Sequence, residues 1–202
     1  VGWMLTTTDM ARSSRTQEFK NALGEWTHPE ELELRYRDNS GGKASNYLTG
    51  EKDVLFYLTG LVDVPDIATN AYRPGAIADH LTSFGGQIPE SGQMSILKWI
   101  QAGATASYGT VAEPCNYPTK FPDPQALFPA YYHGDTLIEA YWKSVWWPGE
   151  GLFIGEPLAR PFGTAATFKD GVFEIVTTAL QPGATYAVTG ADSSGPEASF
   201  TP

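Results

Sequence analysis

The sequence predicts a three-layer α/β fold, a mainly parallel β-sheet with helices on both faces, followed by an antiparallel β extension. Short apolar runs alternate with amphipathic helical patterns along residues 1–163, and strands interleaved with helices form parallel sheets. Residues 54–58 (VLFYL) are continuously apolar, which is typical of a strand covered on both faces. From residue 164 the pattern changes to apolar–polar alternation around turn residues. We therefore expect two units, 1–163 and 164–202.

The elements of the first unit follow from local patterns. Capping-box patterns that begin at Ser14 and at Thr136 predict two helices, and a third is predicted over residues 91–102. Residues 114–130 contain five prolines and are expected to form a long loop. Strands are predicted at the start of the chain and over residues 31–37 (an edge strand), 54–58, 76–81, 104–111 and 151–155.

Composition restricts the classes of partner. A chain of 202 residues that is 42% hydrophobic can bury a substantial core. The net charge of −10, with no Lys/Arg cluster, argues against nucleic acid or an anionic membrane as a partner. No apolar run approaches the roughly 20 residues that a membrane-spanning helix needs, so we expect no membrane span. Few lysines and many Thr, Ser, Gly and aromatic residues favour an exported protein, and a first residue Val1 suggests a fragment or a processed product.

The candidate catalytic residues lie in residues 74–115, which read as strand, Gly-rich turn, helix and strand. His80 and Cys115 are placed near the ends of two predicted strands, where parallel strands bring ligand-binding and catalytic groups together. Cys115 is then a nucleophile, His80 its base, and the backbone amides near Gly85 and Gly86 the oxyanion donors. The alternative is that Cys115 is a small buried apolar residue and His80 a hydrogen-bonded structural one.

Three further residues near this predicted site have either an alternative catalytic role or a structural one. Ser83 lies beyond the strand end and within reach of His80, but a serine hydrolase is the weaker idea because Gly-x-Ser-x-Gly is absent. Glu113 and Glu156 each end an apolar strand before a proline, which suits acid/base work or, preferably, the anchoring of loops.

No cofactor is expected. The three histidines have no metal-ligand spacing, which predicts no transition-metal site, and phosphate-binding and dinucleotide motifs are absent. An oxygen-ligated cation on Asp9, Glu113 and Glu156 stays open as an alternative.

Four segments carry a resemblance to a known family: VLFYLTG, PGAIADHLTSFGG, QMSILKWIQAGATASYGTVAEPCNYPTKFP and GDTLIEAYWKSVWWPGEGLFIGEPLARPF. Together they resemble an uncharacterised family of exported bacterial proteins over residues 50–163. The last part of this region is also distantly similar to the closing half of gingipain-type cysteine peptidases, which have a caspase-like α/β fold. That resemblance implies a His followed along the chain by a Cys, each at a strand end, and a peptide or protein substrate.

His80 and Cys115 have the order that the peptidases require, with two departures. The residue after the His is Leu81 instead of Gly, and the residue before the Cys is Pro114 instead of a small one. Alignment through GEPL and the strand at 104–111 places residues 79–83 at the position of the peptidase nucleophile, which would make the domain a non-catalytic relative.

Two functions are therefore expected as alternatives. The first is a cysteine-peptidase-like hydrolase domain of a secreted or cell-envelope bacterial protein, either active or catalytically silent. The second is a non-catalytic binding or self-assembling module, which forms homo-oligomers through its C-terminal β strands.

Overall fold

A six-stranded mixed sheet forms the centre of the molecule. The computed structural model describes residues 1–114, 116–170, 172–181, 183–188 and 198–201. The strand order is β2-β1-β3-β4-β5-β6, and every neighbouring pair is parallel except β5 and β6. The strands are β1 Gly2–Thr6, β2 Leu34–Asp38, β3 Val54–Thr59, β4 Tyr72–His80, β5 Ala106–Thr110 and β6 Gly151–Gly155. The predicted α/β class and mainly parallel sheet are confirmed.

Helices cover both faces of this sheet. They are α1 Thr16–Glu25, α2 Leu97–Gln101, α3 Pro124–Tyr132 and α4 Leu137–Ser144. Successive strand residues point to opposite faces, so each strand feeds two cores. One core joins Phe56 and Ile77 to residues of α1, α3 and α4, and the other joins Tyr57 to Trp99 of α2.

Two of the predicted helices begin or extend differently in the structure. The predicted helix over 91–102 is reduced to α2, because the Ser91 hydroxyl donates to the Phe84 carbonyl and the Gln93 side chain accepts from the Phe84 amide, which holds this segment as a loop. The first helix begins at Thr16 and not with a capping box at Ser14.

The expectation of a loop over residues 114–130 is wrong in its second half, which forms α3. Asp123 caps this helix by accepting from the Gln125 amide at 2.9 Å. Pro124 occupies the first turn, where its missing N–H costs nothing. Pro129 lies inside the helix, where a proline removes one backbone hydrogen bond, and α3 nevertheless continues to Tyr132 because Leu127 and Phe128 are buried in the core.

The predicted β extension contains two separate antiparallel ribbons in the described residues. β7 Ala165–Lys169 pairs with β8 Val172–Val176, with Ala165 opposite Val176 and Lys169 opposite Val172. β9 Tyr186–Val188 pairs with β10 Ala198–Phe200. Whether residues 164–202 form a unit of their own stays a prediction.

Candidate functional site

His80 ends β4 and is completely buried at the carboxyl edge of the parallel strands. Its Nδ1 lies 2.9 Å from the indole Nε1 of Trp99, and its Nε2 lies 3.1 Å from the Met94 carbonyl oxygen. An indole N–H only donates and a carbonyl only accepts, so Nδ1 is the bare acceptor and Nε2 carries the hydrogen. Both ring nitrogens are thus used within the fold.

The environment of His80 also favours the neutral imidazole. Burial lowers the pKa of His80 to about 4, the hydrogen bond to the Met94 carbonyl opposes that shift, and the charges of Arg15 and Arg12 lower the pKa further. A general base needs a free lone pair within reach of the proton that it removes, and neither nitrogen of His80 has one. The geometry of His80 is that of a structural residue.

Cys115, the predicted nucleophile, lies outside the described residues, so its pairing with His80 stays a prediction. The structure does place Gly85 beside His80, since a Cβ built on Gly85 would lie 3.5 Å from the His80 Cε1 atom. The Gly86 amide donates to the Thr110 carbonyl at 3.0 Å, which attaches this turn to β5 and leaves that amide unavailable as an oxyanion donor.

The three supporting residues are not brought together. Ser83 is buried, and its backbone carbonyl accepts from the Thr110 hydroxyl at 3.0 Å. Glu113 is exposed beyond the carboxyl end of β5. Because β6 runs antiparallel, Glu156 lies at the opposite edge of the sheet, where its carboxylate accepts from the Leu158 amide at 3.0 Å and holds its own loop. Glu113 and Glu156 therefore do not share a site.

A hydrogen-bonded polar chain occupies the carboxyl edge instead. The guanidinium of Arg12 pairs with Asp9 at 2.8 Å and donates through Nε to the Thr82 hydroxyl at 3.0 Å. That hydroxyl in turn donates to the Gln93 side chain at 2.8 Å. A Cβ on Gly60 would lie 1.8 Å from the Arg12 carbonyl oxygen, so the loop after β1 packs directly on the end of β3.

A buried ion pair lies on the other face of β4. Arg15 and Asp79 are 1% and 0% exposed, and Arg15 Nη2 lies 2.5 Å from Asp79 Oδ1 and 2.8 Å from the Thr59 carbonyl. The rings of Phe19 and Phe121 each lie 5.2 Å from the Arg15 guanidinium carbon. Burial raises the pKa of the Asp79 carboxyl, and the positive charge of Arg15 opposes that rise. Asp79 points away from His80, as strand alternation predicts.

Lys120 is a buried cation that the sequence patterns did not reveal. Its ammonium group donates to the carbonyl oxygens of Ala112 at 2.5 Å and Pro114 at 2.9 Å, and it pairs with Glu150 at 2.9 Å. A lysine between two proline-rich stretches gives no sequence signal of burial. The Lys120 side chain fixes the segment that leaves β5 against the turn before β6.

An open cavity of about 780 Å³ lies between the loops that follow β3 and β4. Ligands of open α/β sheets bind in such crevices outside the carboxyl ends of strands. Its lining mixes apolar and charged side chains, among them Val62, Asp63, Met94 and Lys98.

Comparison with known proteins gives no relative from which a function can be transferred. No family model, no curated protein and no solved structure matches the chain. Within the described residues, no helix has both the length and the apolar character needed to cross a membrane.

Proposed function

We propose that this chain is a non-catalytic, self-associating binding module with a caspase/gingipain-like fold, from an exported bacterial protein. The exposed apolar surface of the β7–β8 ribbon is the observation that carries the proposal. Phe168, Val172 and Val176 are 72%, 64% and 61% exposed. The caspase/gingipain-like fold is proposed from the sequence resemblance, and export from that resemblance together with the low lysine content.

Apolar side chains lie on both sides of this ribbon. Phe168 and Ile175 project from one face, and Val172 and Val176 from the other, because side chains alternate along a strand. A two-stranded ribbon with no covered face is marginally stable in water. A further strand or sheet against it would remove this apolar surface from water and complete the hydrogen bonds of an open edge.

A second copy of the chain is the occupant that the strand pattern favours. If two β7 strands pair antiparallel about a two-fold axis at Thr167, Ala165 faces Lys169 and Ala166 faces Phe168, so no like charges oppose each other. The same arrangement of β8 would place Glu174 opposite its own copy, which is unfavourable. Pairing through β7 is therefore the expected contact.

Hydrolysis is disfavoured by the state of His80. A cysteine nucleophile needs a partner that takes its proton or stabilises its thiolate. Trp99 and the Met94 carbonyl occupy both nitrogens of His80, and burial keeps its ring neutral.

Light scattering after size-exclusion chromatography, over a wide range of protein concentration, tests the self-association. We expect a dimer that dissociates on dilution, and a shift to monomer in Phe168→Ser and in Ala166→Lys, which places a charge on the edge strand. Leu158→Ser is the matched control, since Leu158 is 65% exposed but outside the ribbon. A wild-type chain that stays monomeric at all concentrations would refute the proposal.

A peptidase assay tests the absence of catalysis separately. The wild-type chain should hydrolyse fluorogenic peptide pools no faster than Cys115→Ala does. Turnover that is lost in Cys115→Ala and in His80→Ala would establish the hydrolase alternative instead.

A further inference from the structure

Three potential metal ligands meet in the loop between α1 and β2. His28, Glu30 and Glu31 each offer one ligand atom, and these atoms all lie within 4.8 Å of one another. An imidazole with two carboxylates is a ligand set suited to divalent transition metals such as Zn²⁺. The group precedes β2 and so lies at the amino edge of the parallel strands, opposite the carboxyl edge, and it plays no part in the proposed self-association.

Aromatic contacts hold the His28 ring in place. It stacks on Tyr132 with ring centroids 4.4 Å apart and an interplanar angle of 25°, and it makes a T-shaped contact with Trp26, whose ring centroid lies 5.7 Å from its own. Such outer contacts orient metal ligands and are typical of built sites.

His133 supplies a second imidazole from the end of α3. Its Nδ1 lies 2.7 Å from the Pro129 carbonyl oxygen, and because a carbonyl only accepts, Nδ1 carries the hydrogen. Nε2 is then left with its lone pair, which is the arrangement of a histidine prepared for metal binding. The ring centroids of His28 and His133 are 6.4 Å apart.

That separation is close to what one ion requires. Metal–nitrogen distances of about 2.0–2.1 Å place the centroids of two imidazoles on the same ion roughly 5–6 Å apart. His133 lies outside the group whose ligand atoms already meet, so its exposed side chain has to move toward His28 for its Nε2 to reach the same ion. The two histidines are separated by 105 positions (133 − 28), which is why their spacing in the sequence gave no sign of a shared site.

We propose that His28, Glu30, Glu31 and His133 form a binding site for one divalent transition-metal ion of the Zn²⁺ class. The ion joins the loop after α1 to the C-terminal end of α3, two segments that otherwise meet through the aromatic contacts of Trp26 and Tyr132.

Zn²⁺ titration against a chromophoric chelator tests the site, with tag-free protein that has first been stripped of metal. We expect one ion per chain, weakened at least about 10-fold in His28→Ala and in His133→Asn. Glu33→Gln, a carboxylate of the same loop that pairs with Arg35, should leave the affinity unchanged. Cys115→Ser should also bind normally, which separates this site from thiol binding.

Imidazole NMR signals give a second measurement that does not depend on variants. Zn²⁺ should shift the signals of His28 and His133 and leave buried His80 unshifted. No saturable binding by the wild-type chain, or equal binding by His28→Ala, would overturn the proposal, as would zinc-induced shifts of His80 alone.

Discussion

Replacement of His80 by Gln should change how the stability of the protein depends on pH. His80 is completely buried, accepts from Trp99, donates to the Met94 carbonyl, and has a pKa lowered by burial to about 4 from its ordinary 6.5. In the unfolded chain the ring regains its ordinary pKa. Between pH 4 and 6.5 the unfolded state therefore binds one more proton than the folded state.

The sign and the size of the effect follow from that difference. The pKa of the folded state lies below that of the unfolded state, so this stability is fully present above pH 6.5 and is lost as the pH falls through 4. Each pKa unit corresponds to about 1.4 kcal/mol, so the shift of 2.5 units (6.5 − 4) amounts to about 3 kcal/mol of unfolding free energy. His80→Gln removes this pH dependence of the unfolding free energy. The hydrogen bonds that the variant loses add a cost that does not change with pH.

Urea unfolding of the wild-type chain and of His80→Gln at a series of pH values is the assay. The difference between the two unfolding free energies should shrink by about 3 kcal/mol from pH 7 to pH 4. A difference that is flat within about 0.5 kcal/mol across this range would refute the assignment of His80 as a buried neutral residue. If the variant does not fold, an NMR titration of the wild-type imidazole decides the point, since His80 should stay neutral at pH 5.

Three other tests give independent expectations, each measured as a change in the free energy of unfolding. Burial raises the pKa of Glu18 to about 7, so the stability that this side chain contributes to the fold is present below pH 4.5 and lost as the pH rises through 7. Glu18→Gln should therefore stabilise the fold at pH 8 by about 1 kcal/mol, after allowance for the partial exposure of the side chain. At pH 4 the substitution should bring no gain. Asp79→Ala should cost about 3–5 kcal/mol, because it leaves the Arg15 charge buried alone. A double variant, Arg15→Met with Asp79→Leu, should cost less because it removes both charges. Equal losses of stability in the two variants would contradict this reasoning. Gly60→Ala should cost about 2 kcal/mol or more, because its Cβ would meet a backbone oxygen at 1.8 Å. Gly24→Ala, in α1 with open space around it, should instead stabilise the fold by up to about 1 kcal/mol. A small loss of stability in Gly60→Ala would show that the loop can move.

Elements with a strong hydrophobic period were predictable from the sequence. The continuous run at 54–58 is β3, and the alternating run at 31–37 is the edge strand β2. The capping box at Thr136 is present at the start of α4. Where prolines dominate the local pattern, as in α3, the prediction was wrong, because the burial of Leu127 and Phe128 outweighs the cost of one proline inside a helix.

The sites were less predictable because they depend on strand direction and on pairs far apart in the chain. The expectation that Glu113 and Glu156 share an edge assumed a parallel last strand, and β6 is antiparallel. Asp79 did carry a signal, since a carboxylate beside His80 in an otherwise apolar strand requires a buried partner. No sequence pattern identified Arg15 as that partner, because Arg15 lies 64 positions earlier in the chain.

The position of β1 in the sheet has a consequence for synthesis of the chain. β1 pairs with β2 on one side and β3 on the other, and β2 pairs with no other strand of the described sheet. The ribosome adds about 5–20 residues per second, so roughly 3–11 s separate the emergence of β1 from that of the end of β3. β1 is apolar and precedes both of its neighbours in the chain, so it stays unpaired until they have been synthesised, and chaperones that shield nascent strands should be needed most over this interval.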